Sequence, residues 1–141
     1  MFQSIRNQIK TKLEGIASIQ EVRDYPSEEF GGFPAAMVTS TRNEGEFETT
    51  KENKRVYVFT IYLLEDVESK GARQARRIIE GVVDDVIESF DEDQLLTWVS
   101  LSSKETMIIC FPGLADVYET SDGKYTIGEM ELKVAVSVSI V

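Results

Sequence analysis

The charged side chains of this chain are the groups whose types and spacing suggest a specific chemistry, and the densest set falls on one predicted helix, residues 69–90. Its first half is basic and its second half acidic, the residues being Lys70, Arg73, Arg76 and Arg77, then Glu80, Asp84, Asp85 and Glu88. This order opposes the helix macrodipole, which favours acidic residues at the start and basic residues at the end. Spacing within the helix allows ion pairs only for Arg76 with Glu80 and, more loosely, for Arg77 with Glu80.

Two interpretations fit this layout. The first is a solvated surface without a specific role. The second is a contact between copies, in which the basic half of one helix meets acidic residues of the next copy, head to tail, until a ring closes. The candidate interface residues of this second interpretation are Arg73, Arg76, Arg77, Asp84, Asp85 and Glu88. Each exposed pair contributes only about 0.2–1 kcal/mol, so apolar surface has to supply the rest.

Acidic residues in and after this helix could also be carboxylate ligands for magnesium, with Asp84, Asp85, Asp91 and Asp93 as the ligand set. Adjacent positions on a helix point about 100 degrees apart, so Asp84 and Asp85 do not converge on one ion. Residues 91–93 also lack the glycine and the glutamate of a calcium loop. The sequence therefore predicts no metal site and no cofactor, and a metal-dependent enzyme is kept as the least favoured alternative.

The chain contains no histidine and one cysteine, which removes the common acid–base and nucleophilic constellations. Neither a Ser-His-Asp nor a Cys-His arrangement can form, and no glycine-rich phosphate-binding motif is present. Cys110 lies in an apolar run, 106–111, and is interpreted as a small buried residue. We therefore expect a protein that is not an enzyme and that works through shape and assembly.

Length and composition predict one globular domain, residues 1–141. The hydrophobic content is 42% and the mean hydropathy is -0.18, and no apolar run approaches the roughly 18–20 residues of a membrane helix. No secretory signal is recognisable in residues 1–6, so we expect an intracellular protein. The net charge of -10 opposes tight contact with a phosphate backbone. Nucleic acid is therefore either no partner or a molecule that slides past without sticking.

Hydrophobic periodicity predicts two amphipathic helices, over about 2–16 and 69–90, with Ser69 as the N-cap of the second. Strands are predicted at 19–25, 35–41, 55–64, 106–111, 117–120, 124–127 and 131–141, while 95–101 returns toward the sheet. The run 55–64 is apolar on both faces and is therefore expected at the centre of the sheet. Asp122-Gly123 predicts a two-residue hairpin turn. Mutual burial of these stripes predicts an α+β fold, a mostly antiparallel sheet with both helices on one face.

A polar segment, residues 42–54, separates the second and third predicted strands. It is too long for a tight turn and is either a mobile loop or an extended hairpin arm. Glu44, Glu46 and Glu48 alternate with other residues, Phe47 among them, so an extended arm would carry an acidic row on one side. Charge and polarity leave little to hold this segment in place, so we expect residues 43–53 to be mobile until assembly.

In this order, the segments resemble the tail-terminator and tail-completion (minor tail) proteins of long-tailed bacteriophages. The resemblance covers nearly the whole chain and consists of packing patterns, none of which is a catalytic signature. The segments that carry it are 16–22, 33–38, 55–62, 75–79, 84–87, 95–96 and the valine-rich end.

The resemblance implies a structural protein of the virion, assembled in the host cytoplasm and located at the head-proximal end of the tail. Such proteins form a hexameric ring that caps the tail tube, stops its polymerisation and presents a surface to the head-completion or connector protein. The implied partners are further copies of the chain, the tail tube protein and the connector, with no membrane and with DNA only passing through the lumen. The arm residues Glu44, Glu46, Phe47 and Glu48 are then candidates for a lumen or tube contact. A head–tail joining or neck protein of the same virion is the main alternative.

Overall fold

The chain folds as a five-stranded sheet with its two longer helices packed on one face. The computed structural model describes residues 2–26, 29–47, 52–91 and 105–139. The helices are α1 (Phe2–Glu14), α2 (Val67–Lys70) and α3 (Ala72–Asp91), and the strands are β1 (Glu21–Arg23), β2 (Ala35–Phe47), β3 (Glu52–Asp66), β4 (Glu105–Glu119) and β5 (Tyr125–Ser139). The strand order is β1-β2-β3-β5-β4, and every pairing is antiparallel except that of β1 with β2. The predicted α+β fold class is thereby confirmed.

Strand β3 occupies the centre of the sheet, as its apolar composition predicts. It pairs with β2 on one side and along its whole length with β5 on the other. Side chains alternate along a strand, and Tyr57, Phe59, Ile61 and Leu63 are buried in the core beneath the helices. We call this side of the sheet the helix face.

Both helices bury one apolar stripe against the helix face. Ile5, Ile9 and Leu13 of α1 are completely buried, and so are Ile79 and Phe90 of α3, along with further residues of the same core. Each stripe follows the three- and four-residue spacing of an amphipathic helix. The two helices also meet each other, since the Lys12 amino group lies 5.6 Å from the centre of the Phe90 ring.

A glycine in β5 permits the close approach of α3 to the sheet. A Cβ atom added at Gly128 would lie 2.8 Å from Cγ2 of Val83 and 2.9 Å from Cγ2 of Ile79. Carbon atoms in contact normally lie about 3.5–4.0 Å apart. Helix α3 can therefore pack at its observed distance from the sheet only because residue 128 has no side chain.

The predicted helix at 69–90 is wrong at its start. Asp66, not Ser69, is the N-cap, and its side chain accepts a hydrogen bond of 3.0 Å from the amide of Glu68. Gly71 then interrupts the helix with a positive φ of 82°, which glycine adopts without steric cost. The result is a four-residue helix, α2, followed by α3.

The strands after α3 also differ from the predictions. The runs at 106–111 and 117–120 are parts of one strand, β4, whose register shifts between Met107 and Ile109 and again between Pro112 and Ala115. The hairpin at Asp122-Gly123 is confirmed, but its loop has four residues, 121–124, closed by the Thr120 amide bonding to the Tyr125 carbonyl. The segment 95–101 and the side chain of Cys110 lie outside the described part of the chain.

Candidate assembly surfaces

The charged residues of α3 divide into those engaged within the chain and those that point outward. Arg76 is engaged: its guanidinium lies 3.2 Å from Oε1 of Glu119 and 3.9 Å from Oε1 of Glu80, and it donates to the Val117 carbonyl at 3.3 Å. Arg76 therefore holds α3 against strand β4. The ion pair of Arg76 with Glu80, which the sequence predicts, is present in the structure. The ion pair of Arg76 with Glu119 was not predicted.

Asp85 is engaged as well, because its carboxylate accepts a hydrogen bond of 2.9 Å from the Ser18 hydroxyl in the segment after α1. The other charges proposed for a subunit contact lie on the side of α3 away from the sheet. These exposed residues are Arg73, Arg77, Asp84 and Glu88. The structure thus separates two residues with internal bonds from four that remain accessible.

The polar segment 42–54 is an extended hairpin where it is described. Strand β2 runs to Phe47 and strand β3 begins at Glu52, with residues 44 and 46 paired to residues 56 and 54. On its other side, this part of β3 also pairs with β5, from Glu52 with Ser139 to Val56 with Ala135. Where it is described, the segment is thus paired as a hairpin, and Glu48 lies outside the described residues. Mobility before assembly stays a prediction.

Opposite the helix face, no described helix packs on the sheet, and we call this side the open face. It carries Asp116 of β4 next to Glu129 of β5, directly opposite each other in the strand register. Glu131 follows on β5 and pairs with Arg42 of β2 at 3.4 Å. Asp116, Glu129 and Glu131, together with Thr60 and Met130, line a shallow cavity of about 210 Å³. Three carboxylates therefore surround one cavity, and the one from Glu131 is paired with Arg42.

Two tyrosines lie beside the carboxylates of the open face. Burial raises the pKa of Tyr62, and the negative charge of Glu129 raises it further. The pKa of Tyr118 is raised by the same two causes in the same order. Burial is thus the main cause of both pKa shifts, and the charge of Glu129 is the second cause that the two tyrosines share.

On the helix face, two polar side chains are buried without a hydrogen-bond partner among the described residues. Glu65 of β3 and Thr126 of β5 lie opposite each other, and both are 0% exposed. Neither carboxylate oxygen of Glu65, nor the hydroxyl of Thr126, has a hydrogen-bond partner among the described residues. Loss of hydration raises the pKa of Glu65, although the charge of Lys70 acts in the opposite direction.

The acidic cavity was not predicted from the sequence, although β5 contributes two of its carboxylates, Glu129 and Glu131. The alternation of Glu129, Glu131 and Lys133 with buried Met130, Leu132 and Val134 is visible in the sequence. Asp116 could not be added to it, because the pairing of β4 with β5 passes through two irregularities.

Among the described residues, no three histidine, cysteine, aspartate or glutamate side chains are placed to hold one metal ion together. Asp93, one of the four carboxylates considered for magnesium, lies outside that part of the chain. No described helix is long and apolar enough to cross a membrane.

Comparison with known proteins gives a likeness of fold. No protein-family model and no curated protein matches the sequence. Among solved structures, a chain from the virion of a native gene transfer agent particle is similar, with a TM-score of 0.52 and 13% sequence identity. The similarity covers 96% of this chain and 90% of that one. At this identity the two chains share a fold, and they share it over almost their entire lengths.

Proposed function

We propose that this protein is a structural component of a phage-type virion, and specifically a tail terminator that forms a ring on the end of the tail tube. The observation that carries the proposal is the match of fold to a gene transfer agent virion chain over 96% of the sequence. The packing patterns that resemble tail-terminator proteins, quoted above, support the finer assignment. In this role the protein ends tube growth, presents a surface to the head connector, and has no catalytic activity.

The charge of the chain suits such a ring. A net charge of -10 opposes tight binding to DNA phosphates. A ring lined by acidic residues would let the genome pass without holding it. The arm residues Glu44, Glu46, Phe47 and Glu48 remain our candidates for the lumen or for the contact with the tube.

The proposal is tested by adding the purified protein to growing tail tubes and imaging the products by negative-stain electron microscopy. A terminator decorates one end of each tube and stops elongation at substoichiometric amounts. A head–tail joining or neck protein instead binds the connector and leaves tube growth unchanged. Lack of binding to both tubes and connectors would reject a role at this junction.

The arm is tested in the same assay by replacing Glu44 and Glu46 together with lysine. If the arm touches the tube or lines the lumen, this variant caps tubes less well or impairs DNA passage into infected cells. A matched control replaces Glu14 and Glu68, which lie outside the arm, with lysine. Equal behaviour of both variants would remove the arm from the proposed function.

A further inference from the structure

Two charged surfaces on opposite sides of this chain have complementary orders of charge. On the outward side of α3, Arg73 and Arg77 precede the acidic residues Asp84 and Glu88. On the open face, Glu129 and Glu131 precede Lys133 along β5. Read from N- to C-terminus, the helix changes from basic to acidic and the strand from acidic to basic.

The spacing of the charges matches as well. Arg73 and Arg77 are one helical turn apart, which places their Cβ atoms about 5–6 Å from each other. Glu129 and Glu131 lie two residues apart on the same side of β5, which places them about 7 Å apart along the strand. Two guanidinium groups can therefore meet two carboxylates at once.

The distance between neighbouring charges of opposite sign is also comparable on the two surfaces. Along α3, Arg77 and Asp84 are separated by about 10 Å at a rise of about 1.5 Å per residue. Along β5, Glu131 and Lys133 are separated by about 7 Å at about 3.4 Å per residue. A helix laid along the strand would thus place unlike charges together in both halves.

On each surface, two like charges lie close together in a single chain, Arg73 with Arg77 on α3 and Asp116 with Glu129 on the open face. Like charges four residues apart on a helix repel, and so do like charges directly opposite in a sheet. Arg73, Arg77 and Asp116 form no ion pair with any residue that the structure describes. Contact between the two surfaces relieves both repulsions.

Within one chain this contact cannot form, because α3 lies on the helix face and the carboxylates on the opposite side of the same sheet. We therefore propose that the outward side of α3 of one copy docks on the open face of the next copy, with Arg73 and Arg77 at the cavity lined by Asp116, Glu129 and Glu131. The inference rests on the proposed ring and names its contact. Because the two surfaces differ, the contact repeats head to tail, as a ring requires.

This assignment differs from the one expected from sequence. The acceptors for the arginines are carboxylates of the sheet instead of Asp84, Asp85 and Glu88, and Arg76 is left out because it is bonded within its own chain. Asp84 and Glu88 instead face the basic end of the open face, at Lys133. The charge order of α3 that opposes the macrodipole thereby acquires a reason.

Charge reversal tests the contact in the full chain. Arg73→Glu with Arg77→Glu, and separately Asp116→Lys with Glu129→Lys, should each raise the dissociation constant for self-association by at least about tenfold, measured by sedimentation. A chain with all four changes should associate like the natural protein. The control Lys10→Glu with Lys124→Glu alters net charge as much as the arginine variant and should leave association unchanged. Circular dichroism and melting temperature establish that every variant is folded.

Mixing the two double variants gives a sharper result. Each variant carries one intact and one reversed surface, so neither can bind itself but the two can alternate around a ring. Equal mixtures should recover assemblies with an even number of copies, seen by native mass spectrometry. Failure of both the mixture and the four-change chain to recover association would overturn the inference.

A covalent test detects the contact even when association is weak. In a chain whose Cys110 is replaced by alanine, Arg77→Cys with Asp116→Cys should give a ladder of disulfide-linked oligomers under mild oxidation. The pair Lys10→Cys with Asp116→Cys should give far less. Equal ladders, or none at millimolar protein, would contradict docking of α3 on the open face. Tube capping by a protein that fails these tests would leave the proposed function standing and reject only this contact.

Discussion

The two faces of the sheet are built from the same strands but differ in polarity and in whether helices cover them. The helix face is apolar, closely packed and covered by α1 and α3, and Phe59 at its centre is completely buried. The open face carries Asp116, Glu129 and Glu131 around a cavity, and no described helix covers it. Strand β3 contributes to both faces and lies between β2 and β5, with Phe59 and Ile61 buried on the helix face and Val58 and Thr60 buried on the open face. The helix face therefore holds the core together, whereas the open face is left uncovered by the described helices.

The largest expected effect contrasts an aromatic residue from each face. Phe59→Ala should lower the free energy of unfolding by about 3–5 kcal/mol, because it leaves a cavity beneath α1, where the Phe59 ring lies 5.7 Å from that of Phe2. Tyr118→Ala on the open face should cost less than about 1 kcal/mol, because Tyr118 is 37% exposed. Urea denaturation measures both values. Similar losses would mean that the open face is part of the core.

A smaller effect concerns the closeness of α3 to the helix face. Gly128→Ala should destabilise the protein by about 1–3 kcal/mol, since its methyl group would lie 2.8 Å from Val83 and 2.9 Å from Ile79. Gly81→Ala, on the outward side of α3 with no atom within 4 Å of the added Cβ, should instead stabilise by about 0.5–1 kcal/mol. Thermal melts of the two variants test the contrast. Tolerance of alanine at 128 would show that α3 can shift away from the sheet at little cost.

The next prediction uses the one buried carboxylate described on the helix face. Because burial raises the pKa of Glu65 in the folded state above its usual value of 4.5, the folded protein binds the proton more tightly than the unfolded chain. The free energy of unfolding should therefore fall as pH rises from about 4.5 through the folded-state pKa. Glu65→Gln should remove this contribution to the slope and leave a protein relatively more stable at neutral pH.

Chemical denaturation of the natural protein and the glutamine variant at a series of pH values measures that difference. Glu68→Gln, on the exposed surface of α2, is the matched control and should keep the slope of the natural protein. A parallel pH dependence for the natural and Glu65→Gln proteins would show that the buried carboxyl is not the source.

The smallest effect belongs to the open face. Glu129→Gln should lower the pKa of both Tyr62 and Tyr118, because the charge of Glu129 is a cause of each upward shift, second to burial. The change also relieves repulsion with Asp116, so the free energy of unfolding should rise by less than about 1 kcal/mol. Ultraviolet absorbance during alkaline titration reports the two tyrosines. An unchanged titration curve would show that the charge of Glu129 does not raise the pKa of either tyrosine.

Local sequence patterns predicted the fold well. The apolar stripe of Ile5, Ile9 and Leu13 requires a helix packed on the sheet, and the apolar residues on both sides of β3 require a central strand. The ends of the strands were harder to predict. Strand β4 pairs with β5 across two register shifts, and no local sequence pattern indicates where such shifts occur. For the proposed contact, the exposure of Arg73 and Arg77 follows from their position on the helix. The bonds of Arg76 and the pairing of Asp116 with Glu129 could not be predicted, because they join segments that are distant in sequence.

The position of β4 at one border of the sheet limits which intermolecular contacts can form there. As the last strand in the sheet order, it has neighbours on one side only among the described strands, and such a border is a template for intermolecular strand addition. Pro112 lacks an amide hydrogen, and the two register shifts nearby break the regular row of donors and acceptors. A foreign strand cannot continue the ladder through this stretch. Growth into an open-ended β-polymer is thus disfavoured along this border.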